Sequence, residues 1–338
     1  MEEFLKKLPK VELHAHLNGS LGIESLRDLA ERLYGSTSEE FSQLCQRFIQ
    51  FDRNSDLDAC FKKFSFVHEL TSTVEGLRYA TELAVRDFDK DNVQYVEIRT
   101  TPKANSNYSR RDYLQTVIDA IRTAREKYPR ILVKLLPSIN RAEPLAAAEE
   151  TVSLSIEFAR SHPDLVLGID FSGNPGKGRF ADFVPILSRA RDMGLKLVIH
   201  CAEIENPPEV KEMLQFGMSR CGHGTFLDPI DITYLKERNI AIECCLTSNL
   251  KSGTVPDLKE HHLKRLMKAD AHKVLCTDDS GVFDTTLSKE FLLASEVFGL
   301  SRNQCISLTL EAVHHSLAND EERNQMAVKV KDYAASLA

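Results

Sequence analysis

Two histidines close to the start of the chain, His14 and His16, are placed to bind one ion together. They lie in residues 11–17, where apolar and polar residues alternate, a pattern that predicts a β-strand buried on one face. Side chains two residues apart on a strand point to the same side, and neutral imidazole is the commonest metal ligand. The pair therefore indicates a metal site if distant parts of the chain supply further ligands, and a structural pair if they do not.

Residues that bind metals or transfer protons follow three later apolar segments. The first segment ends in His200, with Glu203 three residues further on, and the second ends in His223. The third is followed by two carboxylates, Asp278 and Asp279. In a parallel barrel the carboxyl ends of all strands meet at one face, and catalytic residues occupy those ends. We therefore expect these five side chains to share one site with the histidine pair.

The elements that would position these residues are eight predicted strands in alternation with helices. After the strand that carries His14, strands are predicted at residues 93–100, 131–139, 165–171, 195–200, 220–223, 241–246 and 273–277. This alternation over 338 residues predicts an α/β fold, a (β/α)₈ TIM barrel. An open doubly wound sheet is the alternative, but no Gly-x-Gly-x-x-Gly turn follows any predicted strand.

Helical patterns outside the alternation predict one insertion and one closing segment. Between the first two strands, with Ser20 as the cap of the first helix, the patterns cover residues 23–33, 39–51, 57–70 and 74–89. We expect residues 20–73 to form a helical insertion that acts as a lid. After the eighth strand, further helices are predicted at residues 287–298, 302–316 and 320–336. Without a Pro/Gly/Ser-rich linker or an internal repeat, residues 1–338 are predicted to form one domain.

The remaining histidines do not lie at the predicted strand ends. His68 lies near the end of the third predicted helix, where it would face the pocket below or be an ordinary solvated or packed residue. The others lie in helical or loop contexts and are predicted to be surface or packing residues: His162, His261, His262, His272, His314 and His315.

Composition and charge limit the classes of partner. The chain is 42% hydrophobic and can bury a large core, whereas its net charge of −7 argues against a nucleic-acid or anionic-membrane surface. The N-terminus lacks an apolar signal core, and no apolar run approaches the roughly 18 residues of a membrane helix. We expect a monomer in the cytoplasm (cytosol) with no nucleic-acid or membrane partner. The 8 cysteines are predicted to be buried free thiols.

Five short motifs in order give these residues a family resemblance. They are His14-Ala15-His16-Leu17, Ser172-Gly173, His200-x-x-Glu203, Gly222-His223-Gly224 and Thr277-Asp278-Asp279. In this order and spacing, across essentially the whole chain, they resemble the adenosine deaminase family of the amidohydrolase superfamily. The resemblance implies a zinc-dependent hydrolase that removes the amine substituent from C6 of a purine. It also implies one Zn²⁺ per chain, with His14, His16, His200 and Asp278 as its ligands.

The same resemblance implies roles for the remaining motif residues. Glu203 would donate a proton to purine N1, which requires a desolvated and protonated carboxyl. His223 would orient or deprotonate the attacking water, and Asp279 would hydrogen-bond purine N7. The backbone of Gly173 would meet N3, a close approach that a Cβ would hinder. Glu203, His223 and Asp279 are thus the predicted catalytic residues, and His16 is predicted to touch the substrate as well as the metal.

Three departures from the plain family pattern bear on the substrate. Adenosine deaminases carry Asp where this chain has Asn18, and loss of that carboxylate removes repulsion against a 5′-phosphate. Thr100-Thr101-Pro102-Lys103 is similar to the Ser-Thr-Pro-Arg segment of the N6-methyl-AMP deaminases, with hydroxyls and a cation for a phosphate. Lys103 keeps the charge but not the bidentate geometry of arginine. Asn140 stands where that branch usually has Asp, which leaves its role as a substrate contact open.

These departures favour a purine nucleoside monophosphate as the small-molecule substrate, with N6-methyl-AMP converted to IMP and methylamine. The alternative within the same class is an adenosine deaminase that converts adenosine to inosine and ammonia. In that case Asn18, Thr100, Thr101 and Lys103 would be ordinary loop residues. A different class, a non-catalytic purine-binding barrel, would predict the loss of a metal ligand or of the proton donor, and all of these residues are present.

Overall fold

The computed structural model describes residues 1–52 and 57–337, and its centre is a barrel of eight parallel strands. The strands are β1 Lys10–His16, β2 Val93–Thr100, β3 Leu132–Asn140, β4 Gly168–Ser172, β5 Lys196–Cys201, β6 Arg220–His223, β7 Ala241–Cys244 and β8 Lys273–Leu275. They are hydrogen-bonded in sequence order from β1 to β8. The predicted TIM barrel is therefore confirmed, and the doubly wound alternative is excluded because such a sheet reverses its strand order.

The barrel closes where β1 meets the end of β8. Ala15 forms an isolated parallel bridge with Asp278, whose amide donates to the carbonyl of His14 at 2.8 Å. The buried Glu12 carboxylate adds to this seam, because it accepts from the amide of His14 at 2.8 Å and from the amide of Thr277 at 3.0 Å. Burial raises the pKa of Glu12 to about 7. The first and last strands are thus joined by residues that surround the predicted metal ligands.

The burial of β1 differs from its sequence pattern. We expected one buried face, but Val11 and Leu13 are buried on one side while Glu12 and His14 are fully buried on the other. A barrel strand has helices on its outer face and the filled barrel interior on its inner face, so both faces are shielded from water. The alternating pattern therefore places apolar side chains against the helices and polar side chains inside the barrel. The prediction that only one face of β1 is buried was wrong.

Most of the helices lie between successive strands, as predicted. Those in the insertion and the first crossover are α1 Glu2–Lys7, α2 Ile23–Tyr34, α3 Glu39–Asp52, α4 Leu57–Leu70 and α5 Val74–Lys90. The later ones are α6 Arg110–Lys127, α7 Leu145–Ser161, α8 Phe180–Asp192, α9 Pro207–Phe216, α10 Pro229–Glu237, α11 Leu246–Lys251, α12 Leu263–Ala269, α13 Leu287–Phe298, α14 Arg302–His315 and α15 Asp320–Ala335. Two short ones, α1 and α11, were not predicted.

The insertion between β1 and β2 contains the three predicted helices α2, α3 and α4, while its residues 53–56 lie outside the described part of the chain. Ser20 does not cap α2, because its hydroxyl donates to the carbonyl of His16 at 2.7 Å and Gly22 occupies the cap position. On α4, Phe64 packs against Val282 and Phe283 of the loop after β8. This contact brings α4 to the end of the barrel where the predicted site lies.

The prediction of buried free thiols is confirmed for most of the cysteines that the structure describes. Free thiols are found at Cys45, Cys201, Cys221, Cys244, Cys245, Cys276 and Cys305, and every one of these except Cys45 is buried. The side chain of Cys60 lies outside the described residues. Among the described helices, none combines the length and the apolar character that a membrane span requires.

Candidate active site

The predicted metal ligands converge at the carboxyl end of the barrel. His14 is buried on β1, His200 is on β5, and Asp278 follows β8. Together with His223 at the end of β6, they offer ligand atoms that all lie within 4.8 Å of one another. His16 completes the group, because its Nε2 lies 3.2 Å from Nε2 of His200 and 3.3 Å from Oδ1 of Asp278. The strand ends therefore gather four imidazoles and one carboxylate.

The donor set fits a divalent transition ion. Nε2 of His14 is buried and has no hydrogen-bond partner among the described residues, although it lies 3.3 Å from Oδ1 of Asp278. Imidazole nitrogen and carboxylate oxygen at these separations are the ligands of zinc and its neighbours rather than of Mg²⁺ or Ca²⁺. The hydroxyl of Ser248 donates to Oδ2 of Asp278 at 2.7 Å, which leaves Oδ1 directed at the histidines.

Two buried carboxylates orient the ligand histidines from behind. Nδ1 of His14 lies 2.8 Å from Oε2 of Glu243, and Nδ1 of His200 lies 3.1 Å from Oδ1 of Asp170. Arg99 joins the two carboxylates, at 2.6 Å from Glu243 and 3.1 Å from Asp170. A proton on Nδ1 of His14 leaves Nε2 of this residue free as a ligand, so the hydrogen bond to Glu243 fixes the tautomer and orientation of the ring.

The same layer continues through the barrel interior. Arg220 pairs with Glu243 at 2.7 Å and with Glu97, and all three side chains are fully buried. Burial opposes ionisation of Glu243, but Arg99 and Arg220 hold the pKa of this carboxyl well below its usual range. Charges in such a position are tolerated only when they are paired. This network was not predicted. Its trace in the sequence is the presence of charged residues inside otherwise apolar strands.

The predicted proton-transfer residues face each other beside the metal ligands. Oε1 of Glu203 lies 3.8 Å from Nε2 of His223, and the His223 ring centroid is 5.1 Å from that of His200. Burial raises the pKa of Glu203, which favours the protonated carboxyl. Burial also lowers the pKa of His223 well below its usual value, which favours neutral imidazole. The arrangement places a carboxyl that favours its protonated form beside a neutral imidazole, next to the predicted metal ligands.

Behind His223, Asn249 connects this ring to two histidines that we predicted to be surface or packing residues. The Asn249 amide nitrogen lies 3.5 Å from Nδ1 of His223, and Oδ1 of Asn249 lies 3.0 Å from Nε2 of His261. His261 stacks on His262 with ring centroids 4.0 Å apart, and both rings are buried. The prediction of packing residues is thus confirmed for this pair, but the pair packs directly behind the site.

Asp279 points away from Asp278 towards the loop after β1. A Cβ added to Gly19 would lie 1.6 Å from Oδ1 of Asp279, so this carboxyl occupies the space that a side chain at residue 19 would take. Oδ1 is buried and has no hydrogen-bond partner among the described residues. Burial and the nearby charge of Asp278 raise the pKa of Asp279 well above its usual value. A protonated carboxyl here can donate a hydrogen bond to a ring nitrogen.

Asn18 and Thr100 lie at one polar corner of the site. The Thr100 hydroxyl lies 2.6 Å from the hydroxyl of Tyr113, which is also hydrogen-bonded to the side chain of Asn18. Oδ1 of Asn18 is buried and lacks a hydrogen-bond partner among the described residues. Buried polar atoms of folded proteins are normally paired, so an unpaired one next to two hydroxyls is a position for a ligand atom. Tyr113 was not predicted as a site residue.

Lys103 and His68 form a second polar group, between the barrel and the insertion. Nζ of Lys103 lies 2.7 Å from Nε2 of His68, which is at the end of α4. Burial and the Lys103 charge lower the pKa of His68 to about 4, so this imidazole is neutral at pH 7 and accepts from the ammonium. Between Thr100 and Lys103 in the sequence, Thr101 is half-buried and Pro102 is buried. The structure therefore brings the predicted residues of β2 and α4 together.

Asn140 and Gly173 lie side by side at the ends of β3 and β4. Oδ1 of Asn140 accepts a hydrogen bond from the amide of Ala142 at 3.0 Å. Gly173 has a φ of 101°, and a Cβ there would lie 2.2 Å from the same Asn140 oxygen. Asn140 thus shapes its own loop and fills the space beside Gly173, whose backbone is left accessible because no side chain covers it.

Gly173→Ala tests whether this close approach matters. The left-handed φ alone should destabilise the variant by about 1–3 kcal/mol, and the clash with Asn140 should in addition lower kcat/KM of the deamination. Gly194→Ala is the matched control, because Gly194 has a similar φ of 91° but open space around its Cβ. Thermal unfolding should show a loss of stability in both variants that is larger for Gly173→Ala, and kcat/KM should decrease only in Gly173→Ala. Equal kcat/KM in the two variants would contradict the predicted close approach of the substrate to the Gly173 backbone.

The fold and the site together define a class of protein. A parallel barrel that gathers imidazoles and carboxylates at the carboxyl ends of its strands, with a proton donor beside them, is typical of a metal-dependent hydrolase. The sequence model described as "Adenosine deaminase" matches residues 9–333. The chain therefore belongs to the adenosine deaminase family, whose enzymes are metal-dependent, and it is a deaminase of the hydrolase class.

Similar proteins cover the whole chain. The adenosine deaminase-like protein of Drosophila melanogaster is 75% identical over 334 residues, which are 99% of this chain and 98% of the relative. The N6-mAMP deaminase of Arabidopsis thaliana is 37% identical, with 96% of each protein covered. A crystal structure of Arabidopsis ADAL complexed with IMP superimposes with a TM-score of 0.87 at 36% identity and covers 99% of each chain.

Proposed function

We propose that this protein is a zinc-dependent deaminase of purine nucleoside monophosphates, and that it hydrolyses N6-methyl-AMP to IMP and methylamine. The observation that carries the choice of a nucleotide is the neutral Asn18 amide beside the hydroxyls of Thr100 and Tyr113, at the place where adenosine deaminases have a carboxylate. The similarity to a protein named N6-mAMP deaminase and to a structure with bound IMP supports the same substrate class.

Zinc is proposed because the converging donors are imidazoles and one carboxylate. His14, His16, His200 and Asp278 would hold the ion, since their ligand atoms face one another at the end of the barrel. A bound Zn²⁺ would supply a nucleophile at neutral pH by lowering the pKa of a water to about 7. Glu243 and Asp170 would keep the ligand rings in the correct tautomer.

The protein side chains would transfer the protons of the reaction. The balance is one water added and one methylamine released, with the C6–N6 bond broken and a C6–O bond formed. Glu203 would protonate N1 of the purine as water adds to C6, and His223 would orient that water and take up its proton. As the C6–N6 bond breaks, His223 would pass this proton to the departing amine and the C6 hydroxyl proton would return to Glu203. Asp279, in its protonated form, would donate to N7, while the Gly173 backbone would face N3.

The phosphate would lie against the polar residues that end β2. Lys103 supplies the positive charge, and His68 is within hydrogen-bond distance of the lysine from the insertion side. Thr100 and Thr101 offer hydroxyl groups, and Asn18 offers an amide where a carboxylate would repel the phosphate. Binding of a phosphate at Lys103 would therefore also hold the insertion against the barrel, as expected for a lid.

A comparison of four substrates tests the proposal directly. We expect kcat/KM to be highest for N6-methyl-AMP when it is measured beside AMP, N6-methyladenosine and adenosine, with purine absorbance and amine release as readouts. A preference for adenosine would leave the barrel and the chemistry intact but would show that Asn18 and Lys103 are ordinary loop residues. Absence of turnover with all four substrates in the zinc-loaded protein would contradict the proposed function.

Lys103→Ala should weaken the reaction of the nucleotide more than that of the nucleoside. Loss of one hydrogen bond to a charged group costs about 1.5–3 kcal/mol, which corresponds to a decrease of about 10-fold to 100-fold in kcat/KM for N6-methyl-AMP. The value for N6-methyladenosine should stay near that of the wild type. Lys268→Ala, which removes an exposed lysine of α12, is the control for net charge. Equal losses for both substrates would exclude a phosphate contact at Lys103.

A further inference from the structure

A second group of metal-ligating side chains lies at the opposite end of the barrel. His272 immediately precedes β8, whereas Glu311 and His315 lie one helical turn apart on α14. Nδ1 of His272 is 2.6 Å from Oε1 of Glu311, and Nε2 of His315 is 3.4 Å from the same oxygen. The three residues offer ligand atoms that all lie within 4.8 Å of one another. We predicted these histidines to be surface or packing residues, and the structure instead brings them together around one carboxylate.

One nitrogen of the cluster is buried without a partner. His315 is 7% exposed, and its Nε2 forms no hydrogen bond with any described residue. The backbone of His315 is fixed, because its carbonyl accepts from the buried Arg220 guanidinium at 3.0 Å. Since unpaired buried nitrogens are rare, this atom points to a ligand that the protein side chains do not supply. His272 and Glu311 are about one-third exposed, at 30% and 32%, so an ion could enter from solvent.

We propose that His272, Glu311 and His315 form a second binding site for a divalent transition-metal ion, separate from the catalytic one. Two imidazoles and one carboxylate select zinc, nickel or copper over Mg²⁺ and Ca²⁺, which prefer oxygen ligands. The site lies where β8 begins, whereas the catalytic ligands lie at the carboxyl ends of the strands, so one ion cannot serve both. With three protein ligands, water completes the coordination on the exposed side.

One of the three ligand separations is that of a zinc site. Two ligand atoms at about 2.1 Å from a tetrahedral ion lie about 3.4 Å apart, which is the separation of Glu311 and His315. The shorter distance between His272 and Glu311 is that of a hydrogen bond, in which the ion would replace the proton on Nδ1. Only the two partly exposed side chains have to rotate, and the buried His315 is already in place.

The test is a count of bound zinc in the purified full-length protein. After dialysis against micromolar free Zn²⁺, elemental analysis should find two ions per wild-type chain and one ion in His272→Gln and in Glu311→Gln. His314→Gln is the matched control, because His314 is exposed beside the cluster but is not part of it, and this variant should keep both ions. Deaminase activity of the zinc-loaded variants should equal that of the wild type, and circular dichroism establishes that they are folded.

A measurement on the wild type makes the test independent of the variants. When one equivalent of Cu²⁺ is added to protein that holds only one zinc ion per chain, the copper electron paramagnetic resonance spectrum should show coupling to two imidazole nitrogens. One zinc ion per wild-type chain, retention of the second ion in both His272→Gln and Glu311→Gln, or a copper spectrum with oxygen ligands alone would each overturn the proposal.

Discussion

Replacement of Glu203 by glutamine is expected to lower kcat by about 10²-fold to 10⁴-fold, the range for loss of a general acid. Glutamine has nearly the same shape as the protonated carboxyl and retains hydrogen bonding to the ring nitrogen, but it cannot deliver a proton. Because Glu203 is not among the proposed ligands, zinc content and the affinity for IMP should stay close to those of the wild type. Single-turnover rates, zinc analysis and calorimetric titration with IMP measure the three quantities.

Glu205→Gln provides the matched comparison for this experiment. Glu205 is exposed two residues further along the chain, so the same change of charge occurs without contact to the site. Its kcat should remain within about 2-fold of wild type, as for most surface substitutions. A Glu203→Gln variant with near-normal turnover would remove Glu203 from the mechanism, and one without zinc would show that its role is structural.

Replacement of Glu243 by alanine is expected to reduce the free energy of unfolding by about 3–5 kcal/mol, because removal of one partner leaves buried charges uncompensated. Arg99 and Arg220 both pair with this carboxylate in the fully buried interior of the barrel. His14 loses the acceptor for its Nδ1 in the same variant, which should lower metal affinity by about 10-fold to 100-fold. Urea unfolding and competition with a zinc chelator measure the two effects.

Glu237→Ala is the control for this loss, since Glu237 is exposed on α10. Its unfolding free energy should change by no more than about 0.5 kcal/mol. If Glu243→Ala were as stable as this control, the ion pairs of the interior would not contribute to folding. If its affinity for zinc were also unchanged, the contact between Glu243 and His14 would have no role in holding the ion.

The sequence predicted those parts of the site that depend on local pattern. The position of His14 and His16 on one strand, and of His200 and Asp278 at two other strand ends, follows from strand periodicity and from the geometry of parallel barrels. The partners of these ligands could not be predicted in the same way. Asp170 contacts His200 only because neighbouring strands set the register, and that register depends on the whole barrel.

The same limit explains the errors and omissions elsewhere. The choice of Ser20 as a helix cap used a residue preference, but the Ser20 hydroxyl bonds to the carbonyl of His16 in the tight turn after β1. His272 was assigned a surface or packing role because its helix-bound partners, Glu311 and His315, are far away in sequence. Contacts between elements that are far apart in the sequence leave no periodic pattern. Residue patterns therefore predict the strands but not the side-chain contacts between them.

The seam between β1 and β8 has a consequence for how the protein matures in the cell. His14 is on the first of the eight strands, whereas Asp278 is made only after all eight strands. Contacts between such distant residues form late, because the loop between them must close first. A nascent chain can therefore present its histidine pair to ions long before the complete site exists. The proposed ligands come together only when the final strand completes the barrel.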